Sequence, residues 1–223
     1  AGLAVALCAA STQAQQFPSK PIRIIVGFVP GGATDIIARS IAPPLGESLG
    51  QTVIVDNRPG ASSQIAGMAV AKSPPDGHTL MMMTQTLMTS QMIEGKTYPD
   101  VLKDFAHVAL AATSTLILVV NPSFPVKSLK DLIALARARP GEINYASGGV
   151  GTTPHLSGEL LAAMAELKVV HVPYKGEAPG LTDVMGGQVA MMIDVMPNVY
   201  PHIKAGKVRA PAISTPARSA AAP

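Results

Sequence analysis

Apolar positions near the start of the chain predict a buried strand that leads through a turn into a helix. Residues 22–28 (IRIIVGF) are apolar at almost every position, which is typical of a parallel strand covered on both faces. Pro30 ends the strand because proline has no backbone N–H to donate. The glycines at 31–32 permit a tight turn, and Thr34 or Asp35 is placed to cap the helix that follows.

The pattern continues as alternating strands and helices through the first half of the chain. Pro43 and Pro44 predict a kink or a break in the first helix, because each proline removes a helical hydrogen bond. The elements predicted after it are a strand at 52–55, a helix at 61–72, a strand at 79–84, a helix ending at 93, and strands at 107–112 and 116–121.

A second alternating series begins after Pro122 and Pro125. Ser128 with Asp131 forms a near capping box that predicts a helix start. The later elements predicted are strands at 143–147, 169–172, 188–194 and 208–214, and helices at 156–167, 181–185 and 199–205. Alternating elements in both halves predict an α/β fold with mostly parallel sheets covered by helices.

These two series define the predicted domain organisation. Domain 1 covers 17–121, domain 2 covers 122–207, and 208–223 is a crossover strand with a truncated tail. Residues 1–16 are small, apolar and uncharged, which predicts the remnant of a secretory signal peptide. Domain 1 has few elements after its third helix, so we expect it to be incomplete and the sequence to stop before the natural C-terminus.

Composition narrows the class of protein. The chain has 223 residues, of which 48% are hydrophobic and 14% charged, which is ample for a large core. Net charge is +3, but there is no lysine or arginine run and only 4% of residues are aromatic, so no nucleic-acid partner is expected. Cys8 is the only cysteine and lies in the predicted signal segment. The histidines lack metal-ligand spacing, and we expect neither a metal nor another cofactor.

A second glycine turn repeats the arrangement of the first. The predicted strand at 143–147 runs into SGGVGTT, at positions 147–153, and a helix follows. Free N–H groups at a helix start attract anions, and Ser147, Thr152 and Thr153 add hydroxyl donors. Ligands of open parallel sheets bind beyond the carboxyl ends of the strands. The two turns therefore predict two anion-binding loops that face each other across a cleft, although each is also consistent with a purely structural turn.

Other polar residues are weaker candidates for the same cleft. Asp194 ends a predicted strand at this edge, where it either contacts a ligand or caps the next helix. Tyr174 and Lys175 follow the strand at 169–172 and are placed to line the cleft. His155, in the first turn of a helix, is either a structural residue or a general base.

Seven motifs resemble one family in their order and spacing. The chain is identified as a member of the Bug-type, tripartite tricarboxylate transporter solute-binding receptors of Gram-negative bacteria. The resemblance runs from about residue 17 to about residue 214. The motifs are FPSKPIRIIVGFVPGGATDIIAR, VDNRPGA, SPPDGHTL, KDFAHVA, ASGGVGTTPHLSGEL, VHVPYKG and PHIKAGKVRA.

The resemblance implies a type II periplasmic-binding-protein-like fold, in which two α/β domains close around a ligand. It implies a non-catalytic periplasmic receptor, a monomer, that captures a small organic acid and presents it to membrane permease subunits. In such receptors the two glycine turns hold the ligand carboxylate. The ligand-binding residues expected from the turns and the resemblance are Phe28, Pro30, Gly31, Gly32, Ala33, Thr34, Asp35, Thr84, Gln85, Thr86, Ser147, Gly149, Gly151, Thr152, Thr153, His155, Tyr174 and Asp194.

The sequence departs from the family pattern at two places, and two other functions remain open. Gly27 and Val29 replace prolines that are usual in the first turn, and Val195 stands where a polar residue is common. One alternative is an exported hydrolase with His155 as base and Ser147 or Thr152 as nucleophile. The other is a ligand sensor that acts on a sensor kinase. The low aromatic content favours an aliphatic acid as ligand.

Overall fold

The computed structural model describes residues 17–95 and 99–216, so the predicted signal segment and the end of the tail lie outside the described residues. The two halves follow the same alternation of strand and helix. The elements are β1 (Ile22–Val26), α1 (Ala33–Leu49), β2 (Val53–Asn57), α2 (Gln64–Ala71), β3 (Thr79–Met82), α3 (Thr86–Glu94), β4 (Leu116–Val120), α4 (Leu129–Ala138), β5 (Asn144–Ser147), α5 (Thr153–Ala165), β6 (Val170–Pro173), α6 (Glu177–Met185), β7 (Met191–Val195), α7 (Met196–Lys204) and β8 (Arg209–Ile213).

The first sheet has the order β2-β1-β3, and its pairs are parallel. Ile24 of the central strand pairs with Val55 on one side and Leu80 on the other. Ile24 and Val26 are buried with Ala38 of α1, as the apolar run at 22–28 predicts for a strand covered on both faces. The carboxyl end of β1 therefore lies in the middle of the sheet edge where ligands of parallel sheets bind.

The second sheet has the order β6-β5-β7-β4-β8, with β4 antiparallel to both of its neighbours. One core cluster packs on each face of the sheet, around Met192 and around Met191. The predicted boundary at residue 121 assigned β4 to domain 1, whereas its pairing places it in the second sheet. Buried residues 117–120 form its centre, so the prolines at 122 and 125 end a strand and do not separate two domains.

The first helix runs on through Pro43 and Pro44, so the predicted break is wrong. The prolines leave the carbonyl groups of Arg39 and Ser40 without their helical N–H donors. All four residues are exposed, and water can satisfy these carbonyl groups. The helix therefore keeps its direction from the first glycine turn to Leu49.

The predicted strand at 107–112 is also wrong, because residues 105–115 have no regular structure. Val108 and Leu110 are each 82% exposed. A strand needs a neighbour to accept and donate its backbone hydrogen bonds, and no described residue pairs with this segment. In the described part of the chain, no helix has the length and apolarity needed to cross a membrane.

Candidate functional site

The first glycine turn joins β1 to α1 and is held by Asp35. Gly31 has a φ of 85°, a left-handed conformation that suits glycine. The helix cap is Gly32, which has no side chain, so the predicted cap at Thr34 or Asp35 is wrong. Asp35 lies in the first helical turn instead, where its Oδ2 accepts the Gly31 N–H at 3.0 Å.

Asp35 is also the centre of an ionic network behind the turn. It is 3% exposed and accepts hydrogen bonds from Arg39 Nε and Asn57 Nδ2, each at 2.9 Å. The Asn57 amide also donates to the carbonyl of Phe28, whose side chain is buried in the core. Burial alone would raise the pKa of Asp35, but the hydrogen bonds from Arg39, Gly31 and Asn57 hold it below the ordinary value. Asp35 therefore fixes the backbone of the turn.

The second glycine turn joins β5 to α5 and is held by neutral groups. Gly149 donates its N–H to Ser147 Oγ at 3.1 Å, and the Gly149 carbonyl accepts from Thr152 Oγ1 at 2.7 Å. Gly149 and Gly151 have φ values of 127° and 79°, which other residues rarely adopt. Ser147 and Thr152 are at most 1% exposed, so in this conformation their hydroxyl groups stabilise the turn.

Two histidines lie behind the second turn. The Nδ1 atom of His155 accepts the Gly151 N–H at 3.1 Å. This contact is the kind expected if His155 is a structural residue, the alternative to a general base. The Oγ atom of Ser147 lies 2.6 Å from Nε2 of His171. The two imidazole rings are 4.2 Å apart between centroids. Burial and then His155 lower the pKa of His171. The histidine hydrogen-bonded to Ser147 is thus His171, whereas the hydrolase hypothesis assigned His155.

The two halves are in contact through the second turn. Thr89 Oγ1 donates to the Gly151 carbonyl at 2.6 Å, and Gln85 Nε2 donates to Thr153 Oγ1 at 3.1 Å. Ser62 Oγ donates to the Val150 carbonyl at 3.0 Å. These bonds place the second turn against the start of α3 and the loop before α2. The structure therefore has the cleft closed between them.

Sequence reasoning missed Glu177, the first residue of α6. A Cβ atom added to Gly148 would lie 2.6 Å from Glu177 Oε1, and one added to Gly32 would lie 3.6 Å from Oε2. The carboxylate of Glu177 thus lies between the two glycine turns. In the sequence it resembles an ordinary acidic residue at a helix start. The one local feature that marks this position in the sequence is the preceding Gly176, which is the N-cap of α6.

Asp194 and Tyr174 have partners within the second half. Asp194 is fully buried, and its carboxylate accepts the Val195 N–H and a hydrogen bond from Asn198. The N-cap of α7 is Val195 and has no side-chain cap, so Asp194 lies just before the helix and does not cap it. Burial first, and then the nearby Glu177 carboxylate, raise the pKa of Asp194 to about 7. Tyr174 OH donates to Asp183 Oδ2 at 2.6 Å, so its hydroxyl group is directed to α6.

Several buried polar atoms of the first half have no hydrogen-bond partner. They are Ser63 Oγ, Gln64 Oε1 and Thr84 Oγ1. Ser63 is 1% exposed, and its hydroxyl group lies over Gly27 at the carboxyl end of β1. Buried polar groups normally find a partner, so this edge of the sheet offers places for a bound molecule or water.

One groove of the described surface lies away from the predicted ligand-binding residues. A groove of about 710 Å³ between α1 and β2 is lined by Arg39, Pro43 and Val53, among others, and the predicted ligand-binding residues do not line it. In residues 17–95 and 99–216, no group of three acidic, histidine or cysteine side chains is placed to bind a metal ion.

The fold and the paired turns define the class as periplasmic binding proteins, and comparison with known proteins identifies the family. Residues 37–223 match the model of the tripartite tricarboxylate transporter family receptor. The chain therefore belongs to this family, which confirms the resemblance described above. The family and its structural neighbours are solute-binding receptors.

Known relatives cover the whole described chain. Protein BugT of Bordetella pertussis (strain Tohama I) is 40% identical over 97% of this chain and 67% of its own length. Two solved structures are similar. Rpa4515 of R. palustris with adipate has 35% identity and a TM-score of 0.79, and the match covers 91% of this chain and 68% of that one. MatC (Rpa3494) of Rhodopseudomonas palustris with bound malate has 30% identity and a TM-score of 0.83, and the match covers 91% of this chain and 69% of that one. The chain spans about two thirds of the length of the curated relatives it matches.

Proposed function

We propose that this protein is a periplasmic receptor that captures a small organic acid for the permease subunits of a tripartite tricarboxylate-type transporter. The observation that carries the proposal is the pair of glycine turns, each at the carboxyl end of a parallel strand, with the second turn bonded across the closed cleft to Thr89 of the first half. The family membership, and the adipate and malate bound to its structural neighbours, support an acid as the ligand.

The carboxylate is bound by neutral donors of the two turns. The helices α1 and α5 begin at these turns, and the first amide groups of a helix have no partner within it. These amide groups and the positive end of the helix dipole attract an anion. Thr34, Ala33 and Gly32 supply the amides of the first turn. In the second turn Thr153, the first residue of α5, supplies an amide, because the N–H groups of Gly149, Gly151 and Thr152 are already bonded within the turn.

Binding acts by shifting the receptor towards the closed conformation. The ligand contacts both turns only when the cleft is closed, so its binding energy favours that state. The bonds of Gln85 and Thr89 to the second turn are made across the cleft and are lost when it opens. The permease recognises the closed form and thereby receives only loaded receptor.

A panel of acids tests this function on the receptor at its full natural length. Thermal unfolding is measured with small carboxylates and with the corresponding amides. A ligand at about 100 times its dissociation constant adds roughly 2.7 kcal/mol of stability. We expect at least one acid to raise the melting temperature and its amide to leave it unchanged. Stabilisation by amides or neutral compounds alone would overturn the proposal.

A matched pair of variants localises the site. Thr152→Val removes a hydroxyl group of the second turn, and Thr182→Val removes one that bonds to Ala178 on the exposed side of α6. We expect calorimetry to show affinity for the stabilising acid lowered about tenfold in the first variant and unchanged in the second, a difference of about 1.4 kcal/mol. Equal affinities in both variants would remove the second turn from the site.

A further inference from the structure

The carboxylate of Glu177 lies where the two glycine turns approach each other, which is an unexpected place for a negative charge. Its two oxygens are close enough to Gly148 and Gly32 for an added methyl group to contact them. Most of its surface is enclosed. The side chain belongs to the second half of the molecule, yet it reaches the first turn across the cleft.

No basic side chain compensates this charge in the described part of the chain. The described ion pairs and hydrogen bonds give Glu177 no lysine, arginine or histidine partner. Arg39, the basic residue bonded to the first turn, is engaged with Asp35 and Asn57. Burial raises the pKa of Glu177, as expected for a carboxylate without a counter-ion.

Asp194 adds a second acidic group near the first. It is fully buried, and burial first, then the Glu177 carboxylate, raise its pKa. Its own hydrogen bonds come from Val195 and Asn198, which are neutral groups. A ligand that carried only negative charge would be repelled by the enclosed Glu177 carboxylate, and this repulsion is strong where water is excluded.

Donor groups without partners lie on the other side of the same cleft. The amide groups at the start of α1 are free, and Ser63 Oγ, buried at the carboxyl end of β1, has no hydrogen-bond partner. The closed cleft thus combines donors suited to a carboxylate with an uncompensated acceptor suited to a cation. A single ligand that satisfies both carries both charges.

We propose that Glu177 determines the specificity of the receptor by binding a positively charged nitrogen, so that the ligand is a zwitterion with a carboxylate and an ammonium group. The inference rests on the proposed function, because the glycine turns are taken to hold the ligand carboxylate. It selects amino-acid-like ligands over simple dicarboxylates. Glu177 contacts the ligand cation directly.

The test compares acids that differ only in an ammonium group. Calorimetry measures the affinities of the full-length receptor for aspartate and succinate, glutamate and glutarate, alanine and propionate, and 4-aminobutyrate and butyrate. We expect one ammonium acid to bind at least about tenfold more tightly than its partner, because opposite charges attract strongly in a partly buried site. Glu177→Gln should reduce this preference to less than about threefold.

A control variant separates this role from a general loss of negative charge. Glu159→Gln removes the same charge from α5, where the carboxylate accepts a hydrogen bond from Tyr145 OH at 2.5 Å. We expect it to keep the preference for the ammonium acid. Glu177→Gln should fold normally, because the replacement has the same shape and removes a like charge from Asp194. Circular dichroism and thermal unfolding check the fold of both variants.

The outcomes distinguish this inference from the proposed function. If the natural protein binds a dicarboxylate tightly and Glu177→Gln binds it equally well, the proposed function as an organic-acid receptor is supported. The proposed role of Glu177 is then overturned. A preference for the ammonium acid that survives Glu177→Gln would also overturn it. Binding of simple amines but of no carboxylate, lost in Glu177→Gln, would support the cation site and overturn the proposed carboxylate function.

Discussion

The two halves of the molecule stabilise equivalent glycine turns by different chemistry. In the first half, the buried carboxylate of Asp35 is paired with Arg39 and lies behind the turn. In the second half, the turn is held by hydroxyl and imidazole groups, and the buried carboxylate of Asp194 has no cation. The ion pair keeps Asp35 ionised, whereas burial without a cationic partner favours the protonated form of Asp194.

The largest effect that the comparison predicts is the loss of Asp35. Asp35→Ala removes the acceptor of Gly31, Arg39 and Asn57, and should lower the free energy of unfolding by about 3 kcal/mol. Urea unfolding of the purified protein measures it. Because the pKa of Asp35 is lowered, its contribution is present above pH 4 and is lost as the pH falls below that value.

Arg39→Ala is the control for this prediction. The guanidinium group is about half exposed, so in its absence water replaces much of the stabilisation that it provides to the Asp35 carboxylate. We therefore expect a much smaller loss of stability than in Asp35→Ala. Equal losses in the two variants would mean that the turn depends on the ion pair as a whole and not on the carboxylate of Asp35.

The space around the two turns also differs, and glycine substitutions measure it. A Cβ atom on Gly27 would lie 1.7 Å from Ser63 Oγ and 2.9 Å from its Cα, so the backbone must move. On Gly148 it would meet only the flexible end of Glu177, 2.6 Å away. We expect Gly27→Ala to cost about 2 kcal/mol and Gly148→Ala less than about 1 kcal/mol in urea unfolding. The reverse order would contradict the packing described for the first turn.

Asp194 should give stability a pH dependence opposite to that of Asp35. Its pKa is raised, so the folded protein binds a proton that the unfolded chain releases, and stability falls as the pH rises from about 4 to about 7. Asp194→Asn removes this loss and keeps the shape of the side chain. Between pH 4 and pH 8, we expect the free energy of unfolding of Asp194→Asn to rise by more than about 1.4 kcal/mol relative to that of the natural protein, which is a tenfold change in the unfolding equilibrium constant.

Chemical denaturation of both proteins over that pH range measures this difference. Asp183→Asn serves as the control, since it changes an acidic residue on α6 that accepts a hydrogen bond from Tyr174. It leaves Asp194 in place, so its stability should still fall as the pH rises, as in the natural protein. A natural protein and an Asp194→Asn variant with parallel pH curves would show that Asp194 is already ionised in the fold.

Local patterns in the sequence were sufficient to predict most of the fold. The run at 22–28 predicts β1 because a strand buried on both faces needs apolar residues at nearly every position. Ser128 predicts α4 because its hydroxyl group accepts the Asp131 N–H at the helix start. The segment at 107–112 has a strand-like pattern, but a strand also needs a neighbour, which no local pattern specifies. The prolines of α1 were misinterpreted because their exposure depends on how the helix packs.

The site was less predictable, because its residues come together from distant parts of the chain. The glycine turns were evident as strand-to-helix junctions, and their placement in the sheets followed from topology. The hydrogen bond from Ser147 to His171 joins neighbouring strands, and only the pairing of β5 with β6 brings them together. Glu177 was missed because its importance depends on Gly32, which is distant in sequence and belongs to the other half.

The smallest predicted effect concerns the neutral bonds of the second turn. Thr152→Val removes the closer of the two hydroxyl donors to the Gly149 carbonyl and should lower the free energy of unfolding by about 1 kcal/mol. The loss should be the same at pH 5 and pH 8, because no titrating group takes part in the bond. Thr152→Ser keeps the hydroxyl group and should recover part of the stability. A loss close to that of Asp35→Ala would show that neutral bonds hold the second turn as firmly as the ionic network holds the first.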